Sequence, residues 1–324
     1  MRWALALAAV ACGSRPAPVA PPPEHHVEPA PATPPPPRRD FAVPSPPRSL
    51  VVTGDAVVWA DTLGAIWTMP VTGGEPAQLS DPRTAGIANT LVVAGDRVLA
   101  TSRRGLLDVR VPGGPVTKLA VSALPDQPES CAADSDSVYL TIFKRDEVVR
   151  VPVAGGTLDK LATAKRAVLA VHADTLYLAS YTTGTLSALP VGGGRPRTIA
   201  TGLAHPTALV VDDRHAYIYG EADRTVRRVE LATGTSSALA DGLDNADVLV
   251  LDGDWLYTRT WGNGGRGRVL AIARDGSRPT KTIAEDLGSP SDIAADAHAI
   301  YVTTRDDRAM TGSIVRFEKS AFGL

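Results

Sequence analysis

Apolar runs of four to six residues, rich in Val, Leu, Ile and Tyr, recur along this chain and are separated by Gly, Pro and Asp. Runs of that length with such punctuation predict β-strands rather than helices, which need about ten residues or more. One class of run is closed by glycine at regular intervals. The copies are "WTMPVTGGEPAQL" from residue 67, "VRVPGGPVTKL" from 109, "VRVPVAGGTLDKL" from 149, "SALPVGGGRPRTI" from 187, "VRRVELATGTSSAL" from 226 and "RVLAIARDGSRPTKTI" from 268. Taking the last glycine of each gives Gly74, Gly114, Gly156, Gly194, Gly234 and Gly276, spaced 40, 42, 38, 40 and 42 residues apart. Strand-forming repeats of about 40 residues belong to radial β-architectures. The glycines read as hairpin punctuation, because Gly reaches the positive φ that tight turns need. A phosphate cradle would require the loop to feed a helix N-terminus, and strand patterns follow instead.

A second column counts the units. Val58, Leu99, Tyr139, Tyr177, Tyr217, Tyr257 and Tyr301 stand 41, 40, 38, 40, 40 and 44 residues apart, which makes seven. Eight residues before each comes Leu50, Leu91, Cys131, Leu169, Leu209, Leu249 or Ile293. In that apolar column Cys131 reads as a small core residue rather than a reactive thiol. Three residues before the aromatic column stand Asp55, Asp96, Asp136, Asp174, Arg214, Asp254 and His298. Aspartate between two strands predicts an Asx-type hydrogen bond to the backbone, not a catalytic carboxylate. His172, His215 and His298 fall at or beside this turn in different units and are not expected to form one site. His205, in "GLAHPT", lies in a connection between units.

Each unit thus reads as strand A, an Asp turn, strand B, a variable loop, strand C, the Gly turn and a short strand D. The prediction is an all-β fold, a seven-bladed β-propeller of four-stranded antiparallel blades. Unit seven stops after strand C at "SIVRFEKSAFGL", while "RDFAVPSPPRSLVV" from Arg39 matches the junctions between units. Phe41 to Val43 are therefore expected to supply the missing outer strand and to close the ring, which removes an exposed edge. The propeller is expected to span residues 40–324.

Composition alters this picture only at the N-terminus. With 324 residues, 44% hydrophobic and 21% charged, and a net charge of −2, the chain has an ordinary globular balance and no electrostatic footprint for nucleic acid. Its two cysteines, Cys12 and Cys131, offer no disulfide framework. "MRWALALAAVAC" sets Arg2 before an apolar stretch and a small residue before Cys12, the layout of a secretory signal. The stretch is shorter than the about 20 residues that span a bilayer. From Pro16 to Pro37, 11 of 22 residues are proline, so residues 13–39 are expected to be a disordered, extended tether in which His25 and His26 are solvated.

Ala9-Val10-Ala11-Cys12 resembles the lipobox of bacterial lipoproteins. That resemblance implies a signal peptide over residues 1–12, lipidation of Cys12, and an extracytoplasmic, membrane-anchored protein of the periplasm or outer membrane that meets the membrane only through its anchor. An ordinary secretory signal is the alternative. "HPTALVVDDRHAYIYGEADRTVRRVEL" resembles the NHL repeat in its Pro, inner strand, Asp, Tyr-containing strand and basic strand C, and "VVWAD" at 57 and "VYLT" at 138 resemble the YWTD repeat. The resemblance covers residues 40–324. It implies kinship of architecture with protein-binding modules, with sugar-lactone hydrolases that hold calcium on the axis, and with streptogramin lyases.

In such a ring the inner strands surround an axial funnel, and the B–C loops and blade junctions open on one face. Ten residues before the aromatic column stand Arg48, Asn89, Glu129, Ala167, Thr207, Asp247 and Ser291, with Asp292 beside the last. This column is mostly polar and differs in every unit where its neighbours are uniform, so the funnel mouth is the expected ligand site. Glu129, Asn89, Asp247 and Asp292 could supply oxygen ligands to calcium, as the lactonase resemblance implies, although no calcium-loop signature and no Glu–His or Ser–His pair stands in register. The longest B–C loops follow Thr258 and Thr303, and Trp261 and Arg266 in the first read, with His205, as interface residues. These features favour a monomeric, non-enzymatic binding or scaffold propeller of the cell envelope. It would engage a protein, glycan or small ligand through its loop face, with no cofactor. The alternative is a calcium-dependent sugar-lactone hydrolase or lyase using the axial funnel.

Overall fold

The computed structural model describes residues 38–324 except 103, 104, 112, 120–123, 125–127, 262–266 and 307. Residues 1–37, which hold the expected signal segment, Cys12 and the proline-rich stretch, and Arg266 lie outside the described residues. Seven four-stranded antiparallel sheets form in chain order: residues 47–80, 88–118, 128–163, 167–200, 206–240, 249–287, and 289–318 together with 38–43. Within each sheet the strands run A, B, C, D from the hub outward. Helix among the described residues is confined to one turn at Pro82–Ala85 and 3-10 turns at Phe143–Arg145 and Lys319–Phe322.

Burial follows position in the blade. Strand B is covered on both faces by neighbouring blades, so Ala56–Asp61 and Ser137–Ile142 are buried at every residue. Strand D faces solvent and needs only one inward side chain, as Ala77–Ser80 shows. The core is accordingly a set of wedges between blades. Tyr217 and Tyr219 of blade five pack with Leu256 and Leu270 of blade six, and Tyr301 and Ile314 of blade seven pack with Val57 and Trp59 of blade one. Cys131 sits half-buried beside the wedge between blades two and three. Burial pushes its thiol up to about 12, so it stays protonated and unreactive.

The ring closes as the sequence predicts. Arg38–Val43 pairs antiparallel with Thr311–Glu318, with Phe41 opposite Ile314 and Val43 opposite Gly312, and the strand begins two residues before Asp40. The Phe41 ring also reaches the Gly turn of blade one. A Cβ on Gly73 would stand 2.1 Å from that ring, and Gly73 has φ +92°, so both space and backbone require glycine there.

The turn aspartates act differently from the prediction. Asx bonds come from a column two residues earlier: Asp134, Asp212 and Asp296 each accept the N–H groups two and three residues on at 2.7–2.9 Å. In the predicted column the main chain is what matters. The carbonyls of Asp55, Asp136, Asp174, Arg214, Asp254 and His298 accept the N–H of the residue following strand C at 2.9–3.1 Å. A carbonyl is common to all residues, which is why arginine and histidine stand in that column without loss.

Candidate functional site

Five of the seven residues of the variable column stand at bulges in strand A. Its register against strand B slips between Pro47 and Ser49, Ala88 and Leu91, Pro128 and Ser130, Pro206 and Ala208, and Pro290 and Asp292. The residues displaced are Arg48, Asn89, Glu129, Thr207 and Ser291, each freed from the ladder and re-aimed. Threonines of strand B hold the bulge: Ser130 N–H donates to Thr141 Oγ1 at 2.9 Å and Asp292 N–H to Thr303 Oγ1 at 2.8 Å. Such a column can vary, since the ladder's main-chain pairing skips these residues.

Blades three to six bring part of it together. A cavity of about 220 Å³ is lined by Glu129, Ala167, Thr207 and Asp247 of the column, and by Arg166, Val168, Tyr181, Pro206, Tyr219, Glu221 and Asn245. Tyr181 and Glu221 form a second column, four residues after the aromatic one. Its variability among Thr62, Tyr181, Glu221, Trp261 and Arg305 was readable in the sequence. Arg166, His205 and Asn245 all take positive φ at the junctions between blades. There the carbonyls of Arg166 and His205 accept the N–H of Tyr181 and Glu221 at 2.8 and 3.0 Å, fixing one wall. Tyr181 is held between two planar groups, with His205 stacked at 4.6 Å and the Arg166 guanidinium 4.1 Å from its ring centre. The pKa of its hydroxyl is raised, by the nearby Glu221 carboxylate first and by desolvation second.

The remaining candidates lie elsewhere on the mouth. Arg48 donates to Asn89 Oδ1 at 3.3 Å. Asp292 joins the last blade to the first: Leu50 N–H donates to its Oδ2 at 2.8 Å. Ser49 and Ser130 do the same for Leu91 and Leu169, at 3.0 and 3.1 Å, so this position satisfies the otherwise open N–H of the next inner strand. Trp261 donates its indole N–H to the Pro290 carbonyl and lies between Arg259 and Arg305, at 5.8 and 5.7 Å. It bridges blades six and seven from within. Arg259 is buried and binds Asp247 at 2.7 Å and the carbonyls of Asn245 and Ser291 at 3.0 and 3.2 Å.

The four candidate calcium donors are not all brought into one cavity lining. Glu129 and Asp247 line the cavity while Asn89 and Asp292 lie outside its lining. All four oxygen groups also face cations or N–H groups of the protein: Arg166 at 3.7 Å, Arg259 at 2.7 Å, Arg48 at 3.3 Å and Leu50 at 2.8 Å. On the opposite face, His172 meets Asp213 at 2.7 Å, and His215, close to Asp212, lines a second cavity of about 280 Å³ with Arg214, Arg228 and Arg274.

No family model and no curated protein matches the chain. Solved structures with a similar backbone include one from a nidogen/laminin complex, at 18% identity, covering 60% of this chain and 80% of that one with a TM-score of 0.49. Another is the computationally designed Ika8 protein, at 13% identity, covering 86% and 97% with a TM-score of 0.56. At these identities the likeness concerns the fold alone.

Proposed function

We propose that this chain is a non-enzymatic binding propeller that holds a protein partner against its loop face. The observation that carries the reading is the placement of exposed apolar side chains. Leu63, Ile87 and Met310, exposed at 56%, 52% and 50%, are the large apolar residues open to solvent among the described residues, and all three lie in loops of that face. Exposed apolar groups gathered on one face beside a variable polar column are the makeup of a protein interface rather than of a glycan site. The NHL- and YWTD-like strands, shared with protein-binding modules, support the same reading. The lipobox-like Cys12 adds that the module is tethered at the cell envelope.

Photo-crosslinking residues placed at Leu63 or Ile87 are expected to capture a discrete protein in the native host, while the same residue at Asp275 on the opposite face captures none. Equal capture at both faces, or none at the loop face, overturns the reading.

A further inference from the structure

Charge is unequally distributed in the funnel-mouth cavity, and the imbalance selects a class of ligand. The cavity's charge is mostly negative, with Glu129, Glu221 and Asp247 facing one arginine, Arg166, in the lining. The Tyr219 hydroxyl donates to the Leu243 carbonyl at 2.7 Å. Arg166 is ion-paired to Glu129 and lies over the Tyr181 ring. Acceptors remain in surplus. An ionised carboxylate offers about four lone-pair sites, of which Asp247 gives one to Arg259 at 2.7 Å. The Thr207 hydroxyl, in the same wall, is sealed from solvent and has no hydrogen-bond partner among the described residues. The rest of the lining is apolar, from Ala167, Val168 and Pro206.

We propose that this cavity receives a lysine or arginine side chain of the protein partner, its methylenes against Ala167, Val168 and Pro206 and its charged head on Glu221 and Asp247. An ammonium carries three donors and a guanidinium five, and neither carries an acceptor, so each matches an acceptor-rich wall. A polyol brings acceptors with its donors and would set some of them against carboxylates. An anion meets three carboxylates and one arginine in the lining. The long stem of a basic side chain packs on apolar surface while its head stays polar, which is the division the walls present.

The proposal rests on the protein-binding reading of the loop face and can fail separately from it. The test is a titration of the isotopically labelled full chain with Nα-acetyl-lysine methylamide and Nα-acetyl-arginine methylamide, followed by amide resonances. Norleucine and glutamate counterparts serve as controls. Saturable shifts at Thr207 and Asn245 are expected for the basic probes only. Glu221→Gln should weaken them about tenfold, the loss of one charge-assisted hydrogen bond. Thr207→Val, which keeps shape and fold, should weaken them less. The proposal is overturned if the norleucine probe shifts the same residues, if both variants bind the basic probes undiminished, or if calcium binds these carboxylates while the basic probes do not. Should the basic probes fail while the crosslink at Leu63 persists, the cavity assignment falls and the binding function stands.

Discussion

In blades three, five and seven, a buried tyrosine of strand B reaches back to the Asx aspartate of its own turn: Tyr139 to Asp134, Tyr217 to Asp212 and Tyr301 to Asp296, at 2.7–2.8 Å. An arginine stands opposite each in strand C, at Arg150, Arg228 and Arg316. The column is tyrosine there because a phenyl ring would leave the carboxylate short of a donor. Burial raises the Asp212 and Asp296 carboxyls, but the turn N–H groups and the tyrosine hydroxyls outweigh it and both end below their ordinary value. They therefore stabilise the fold above the ordinary carboxylate range, and that contribution is lost as pH falls through their depressed values. Asp292 has the opposite sign. Burial pushes it up to about 6 against the N–H of Leu50 and Ile293. The folded state then holds a proton the unfolded chain has released, so this residue lowers stability as pH rises from about 4 to 6 and changes nothing further above that. Asp292→Asn is expected to remove this slope, on the order of 2 kcal/mol, in urea unfolding repeated across pH 4 to 7; a variant retaining the full slope contradicts the assignment.

At the scale of the element, the strands and turns were legible because every blade reuses one local geometry, and a column about 40 residues apart exposes it. The bulges were not. Whether one residue is extruded depends on how strand A registers against strand B, and proline at residues 47, 128, 206 and 290 marks the start of the slip in only four of the five bulged blades. The Gly turns separate conformation from packing. Gly73 has φ +92° and the Phe41 ring against it, whereas Gly156 has φ +125° and nothing within 4 Å of where a Cβ would stand. Gly156→Ala is expected to cost about 1 kcal/mol from backbone strain alone, and Gly73→Ala about 2–3 kcal/mol more, because the added carbon displaces the strand that closes the ring. Equal losses in urea unfolding would mean that Phe41 does not press on that turn.

For the whole molecule, the closing strand joins residues 38–43 to residues 312–317 and forms the outer edge of blade seven. With the lipid anchor proposed at Cys12, Cys12→Ala is expected to move the protein from the membrane to the soluble fraction, with its unfolding profile unchanged; an unaltered distribution would refute lipidation. The sequence by itself determined seven units, four strands in each, and the strand exchange that seals the ring, because these follow from local periodicity and from one unit being short. It also marked a variable polar column. Only the tertiary structure decided which of that column act together. Glu129, Thr207 and Asp247 share a cavity, Asp292 locks the seam and Asn89 pairs with Arg48, because radial packing sets residues of different blades side by side and bulges free Arg48, Asn89, Glu129 and Thr207 from the ladder.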